Sequence, residues 1–181
     1  LLEKQARVLA VTDDAPDSLR LQASTQHGRV LRLLGRSRQC VQAMAPMEAR
    51  LRPLESRLPL RVAEFQSQNG RCRADAGEKQ LARQMFDSSL EIRRTLKDEA
   101  GVAENMRDLA QLDVELGNAD AGARGYLAAL AHLEAHGHAR HPLAIEIQRS
   151  LALLYRGFAY NNSADFLSLS EYENVGRWVA E

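Results

Sequence analysis

Small residues return along this chain at a long, nearly constant period. Gly28, Gly70, Ala110 and Ala152 stand 42, 40 and 42 residues apart. Seven positions after the first three come Gly35, Gly77 and Gly117, and five beyond those glycines come Cys40, Ala82 and Gly122. Bulky Met44, Phe86 and Tyr126 share the next column, and Met47, Ser89 and Ala129 the one after it. A period of this length identifies the repeating supersecondary unit before any local structure is assigned.

The unit implied by these columns is a helical hairpin. A small residue in the first helix allows a neighbouring helix to approach closely. The second glycine ends that helix, because it can adopt a positive φ at modest cost. The second helix then sets a small, a bulky and another small residue along one stripe, spaced by four and by three. A single hairpin cannot bury such a stripe, so neighbours must stack. Helix pairs are expected over about 17–34 with 37–56, 59–75 with 78–96, and 99–116 with 119–136, followed by a first helix over 142–157. Pro59 and Pro142 suit helix starts. Pro46 and Pro53 predict a kink or an early end in the second helix of the first pair. No segment alternates with a period of two, so no sheet is expected.

These columns resemble the tetratricopeptide (TPR) family in a longer variant of about 40 residues, over roughly 17–157. The joint Ser89–Ala103 and the turn Leu116-Gly117-Asn118-Ala119-Asp120-Ala121-Gly122-Ala123 are particularly similar to that family. The resemblance implies an all-α, right-handed α-solenoid of stacked antiparallel helix pairs. Its repeats would fall at about 17–58, 59–98 and 99–140, with a half repeat at 142–157. Residues 1–12 would be the end of a truncated preceding repeat, which makes the chain part of a larger protein. Members of the family bind peptides or protein segments in a concave groove lined by the first helix of each pair.

Bulk properties narrow the function classes. The net charge is zero, which offers no whole-chain attraction for nucleic acid or an anionic membrane. No stretch reaches the ~20 apolar residues of a membrane span. Arginine supplies 21 of the 24 basic residues, and only Lys4, Lys79 and Lys97 are lysines. Such a bias reflects genome composition more readily than a guanidinium-based site. Cys40 and Cys72 lie far apart in sequence, fit no metal spacing and read as separate core residues of a reducing compartment, without a disulfide. The expected setting is a bacterial cytoplasm.

Residues 158–181 differ in texture: six of the nine aromatic residues fall in the last 27 positions. One reading is a cap that seals the end of the array. The run Ala164–Glu181, with Tyr172-Glu173-Asn174-Val175-Gly176-Arg177-Trp178, is also similar to part of the C-terminal domain of bacterial glutathione transferases. That likeness implies a related polypeptide, or a joined foreign segment, without the domain that carries the family's chemistry. A further alternative is the regulatory TPR tail of a bacterial signalling enzyme or transcription factor.

Few constellations suggest chemistry. His132 and His136 stand one helical turn apart and could share a divalent metal with Glu134 or His138. Leu133 occupies the place where a zinc hydrolase needs its glutamate, and Gly137 ends the helix, so solvated loop histidines are the better reading and no metal or cofactor is expected. No phosphate loop, nucleophile elbow or paired-cysteine motif occurs. The expectation is a non-enzymatic scaffold. Its candidate binding residues on the first helices are Arg29, Arg32, Glu64, Arg71, Glu104, Arg107, Gln111, Arg149 and Arg156, among further acids at Asp75, Glu115 and Glu146. The arginines could clamp an acidic peptide; the interspersed acids favour ion pairs within the surface. A protein or peptide partner is expected, with no nucleic acid and no membrane.

Overall fold

The computed structural model describes residues 16–160, with side chains to 156. The resemblance read in 164–181 and the truncated repeat at 1–12 lie outside the described residues. Seven α-helices and one short 3-10 turn make up the described chain: α1 (Asp17–Leu33), α2 (Ser37–Glu48), the 3-10 turn Arg52–Leu54, α3 (Pro59–Asp75), α4 (Lys79–Leu96), α5 (Glu99–Glu115), α6 (Ala119–Ala135) and α7 (Pro142–Tyr160). These are the expected hairpins, α1 with α2, α3 with α4 and α5 with α6, and then a first helix. The described residues fall into two compact units, divided between Asn105 and Met106.

Four helix ends share one device. Gly35, Gly77, Gly117 and Gly137 all adopt positive φ, between 70° and 88°. In each case the residue after the glycine donates its N–H to a carbonyl five positions back: Arg36 to Leu31, Glu78 to Arg73, Asn118 to Asp113 and His138 to Leu133. This bond satisfies a carbonyl that the helix end would leave open. The end of α4 closes in the same way through Asp98 and Arg93, but the left-handed position belongs to Lys97, at φ 56°. The end of α2 departs further, with Ala49 in the right-handed helical region and no left-handed residue.

In the N-terminal unit α3 packs chiefly on α4 and also touches α1 and α2. Its core gathers Leu21, Leu31, Cys40, Met44, Met47, Val62, Phe65 and Cys72. Two sequence expectations need correction here. The second helix of the first pair does not run to 56; it ends at Glu48, two residues after Pro46 removes a backbone donor. The chain beyond is not a loose loop, because the turn around Pro53 buries Leu51 and Leu54 in the same core. The second correction concerns the cysteines. Cys40 on α2 and Cys72 on α3 are joined as a disulfide, their Cα atoms 5.6 Å apart. A separation of 32 residues hides this proximity: stacking lays the second helix of one hairpin beside the first helix of the next.

The C-terminal unit is built on α6 packed against α7. Ala110, Leu112, Tyr126, Leu130, Leu133, Ile147 and Leu151 form its buried apolar set. The last helix runs to Tyr160, three residues past the expected end at 157.

The small-residue columns do what their size requires. A Cβ on Gly28 would lie 2.6 Å from Met44 Sδ, and one on Gly70 would lie 2.6 Å from the Phe86 ring. In the third hairpin the sizes are exchanged: the close-packed glycines stand on α6, where a Cβ on Gly122 would collide with the Val114 side chain and one on Gly125 would lie 2.8 Å from the Ala110 Cβ.

Candidate partner-binding surface

The first helices of the N-terminal unit are tied to one another by opposite charges. Arg32 on α1 donates from Nε to Asp75 of α3 at 2.8 Å. Arg71 on α3 donates to Glu104 of α5 at 2.7 Å. Two bonds of the same kind thus step from each first helix to the next, and of the residues singled out in sequence they involve Arg32, Arg71 and Glu104. Glu64 is held by Arg61 within α3, at 2.9 Å. Arg29 is exposed on α1.

Glu104 is the centre of this surface. Besides Arg71 it accepts from Arg93 Nη1 at 2.7 Å, and the same Arg93 nitrogen donates to the Gly101 carbonyl at 2.7 Å. Arg93 is 4% exposed, so its charge sits in a medium that screens little. Burial alone would push the Glu104 carboxyl upward. The two guanidinium groups outweigh it and hold the carboxyl at about 2. Glu104 is therefore a permanent anion that orients Arg71. A second cluster sits on α3, where Arg73 donates to Glu48 of α2 at 2.7 Å and also pairs with Glu78. Burial opposes the Arg73 charge, but the two carboxylates prevail and raise its pKa.

The C-terminal unit holds the remaining candidates. Arg107 lies 3.2 Å from Asp108 and 3.8 Å from Glu146. Gln111 donates to Glu115 at 3.1 Å and accepts from the Tyr126 hydroxyl at 2.5 Å. Burial raises the Tyr126 pKa above its ordinary value, which keeps that hydroxyl protonated as the donor. Arg149 and Arg156 are exposed on α7.

The histidines divide into two pairs. The rings of His132 and His136 are 4.3 Å apart, and His136 Nδ1 lies 2.8 Å from the His132 carbonyl oxygen. That contact places His136 against the open carbonyls at the end of α6. Among the described residues, neither Glu134 nor His138 joins them in a three-ligand cluster. His141 is half-buried rather than freely solvated, and its Nδ1 accepts from the Leu143 N–H at 3.2 Å at the start of α7.

Sequence reasoning missed a buried polar network. Ser67 on α3 and Ser89 on α4 share a hydrogen bond of 2.8 Å, and each lies 3.2 Å from Asn105 Oδ1. Ser89 also donates to the Ala63 carbonyl, and Asn105 Nδ2 to that of Phe86. The only sequence signal was Ser89 in a column otherwise filled by Met47 and Ala129.

No protein-family model matches the chain, and no curated protein matches it. Solved structures do. A kinesin light chain from Podosopora anserina with nearly identical TPR-like repeats is similar over 99% of this chain and 84% of its own, with a TM-score of 0.66 and 19% identity. A single-substitution variant of it gives a TM-score of 0.67. BtubC (BKLC) from P. vanneervenii is similar over 98% of this chain and 79% of its own, with a TM-score of 0.64 and 15% identity. At such identities the likeness is one of fold. The chain is an all-α repeat array of TPR-like helix pairs.

Proposed function

We propose that the chain is a non-catalytic scaffold that binds a peptide or protein segment along the face of its first helices. The observation that carries this reading is the pair of inter-helix bonds, Arg32 to Asp75 and Arg71 to Glu104. They make one preorganised polar surface from residues on three successive first helices. Arg71 is held in place by Glu104, so it meets a ligand without first losing side-chain freedom. Its charge is also largely answered. That disfavours a purely electrostatic clamp and favours a segment that hydrogen-bonds along the row, with a carboxylate near exposed Arg29. The TPR-like fold supports a protein partner rather than a small substrate, as an analogy of fold.

The test is selection of binders from a random peptide display library against the whole chain. Selected peptides are expected to lose at least tenfold in affinity on Arg29→Glu or Arg71→Ala, and to be indifferent to Arg94→Glu on the second helix α4. An absence of enriched peptides, or affinities unmoved by the first two changes, would overturn the reading.

A further inference from the structure

We infer that Cys40 and Cys72 form a redox-responsive staple that governs whether the first hairpin stays closed on the second. Three observations carry this. The two cysteines belong to different hairpins, with Cα atoms 5.6 Å apart, so the bond crosses the junction rather than bracing one hairpin internally. Their surroundings suit both oxidation states. Cys40 Sγ lies 3.0 Å from the Gly28 carbonyl oxygen and Cys72 Sγ lies 3.6 Å from Met44 Sδ, so each thiol has an acceptor when reduced. Finally, the hairpin being stapled is the one whose second helix is cut to 12 residues, against 17 or 18 in α4 and α6.

The exchange needs only a low-molecular-weight disulfide. The thiolate of one cysteine attacks it, forms a mixed disulfide and expels one small thiolate. The second cysteine then attacks the protein-bound sulfur of that mixed disulfide and expels the other. One S–S bond is broken and one formed; two protein thiols are oxidised, and two small thiols leave with the two protons. Both cysteines are 0% exposed, so attack from solvent requires the first hairpin to open. The staple is thus made or lost only through opening, and once made it suppresses the motion that would undo it. A bond that closes a loop of 32 residues restricts the open state strongly, on the order of a hundredfold in the opening equilibrium.

The experiment uses the unaltered chain, fully reduced and then treated with hydroxyethyl disulfide. Thiol titration and peptide mass mapping read the bond, and amide hydrogen exchange reads the hairpin. The expected result is a Cys40–Cys72 linked peptide with no retained mercaptoethanol adduct. Amides of α1 and α2 should exchange on the order of a hundredfold more slowly than in the reduced chain, while those of α6 and α7 exchange equally in both. Two free thiols persisting under the oxidant, a stable mixed disulfide at either cysteine, or equal exchange of α1 and α2 in the two states would each overturn the inference.

Discussion

Phe86 of α4 lies across Gly70 of α3, so closely that a methyl group on the glycine would meet the ring at 2.6, 2.8 and 3.1 Å. Phe86 is 2% exposed. The contact joins the two helices of the second hairpin.

Gly70→Ala is therefore expected to destabilise the chain despite alanine's better helix propensity. Propensity favours the change by about 1 kcal/mol, whereas forcing a methyl into a packed core costs about 1–3 kcal/mol. A net loss of up to about 2 kcal/mol should appear in urea unfolding. A variant as stable as the parent would show that the ring can move.

Glu104 should give the chain a marked acid limb. Its folded pKa of about 2 lies below the ordinary 4.5. Its contribution is complete above about 4.5 and is lost as pH falls through about 2. The shift corresponds to at most about 3 kcal/mol. Glu104→Gln should weaken the chain at neutral pH by about 2–4 kcal/mol, since buried Arg93 loses its nearer carboxylate and keeps only Asp98, at 3.8 Å. Its urea midpoint should also vary less than the parent's between those two pH values. Parallel pH profiles for the two proteins would refute the assignment.

Asn105 joins three backbone and side-chain partners in the buried network with Ser67 and Ser89. Asn105→Ala leaves the Phe86 carbonyl without that donor and should cost about 1–3 kcal/mol. Asn105→Asp should be worse, because a carboxylate oxygen would then face the same carbonyl. Thermal unfolding that ranks aspartate above alanine would contradict the observed bonding.

Lys97→Gly is expected to stabilise. Lysine holds a φ of 56° at the end of α4, a region that disfavours any side chain. Relief of that strain, less the added freedom of the unfolded glycine, should leave a gain of about 0.5–1 kcal/mol. The readout is the thermal midpoint, which should rise; a fall would mean that the lysine side chain contributes more than its backbone costs.

Much of the fold was legible because the repeat is a steric pattern. Gly28 and Gly70 announce close approach, and Gly35, Gly77 and Gly117 announce helix ends, each through a property of a single residue. Pro46 likewise gave the early end of α2 in kind, though not its place. What escaped was pairwise. Nothing local to Cys40 refers to Cys72, and nothing in Lys97 signals a left-handed backbone. Ser67, Ser89 and Asn105 each look ordinary until stacking brings them together. The candidate binding residues were read as a row of charges; which charges answer one another, Arg32 with Asp75 and Arg71 with Glu104, depends on the side-to-side alignment of helices that no single segment encodes.

The exchange of sizes between hairpins bears on how such an array could be idealised. In the first two hairpins a glycine on the first helix receives Met44 or Phe86, whereas in the third Ala110 on the first helix receives Gly122 and Gly125 on the second. Averaging the columns into one consensus motif would keep the commonest residue at each position and break the matched sets. An alanine could then stand beneath a phenylalanine, and a glycine opposite a glycine. The hairpins are homologous in outline but not interchangeable, and an engineer who lengthens this array must copy facing residues together rather than copy columns.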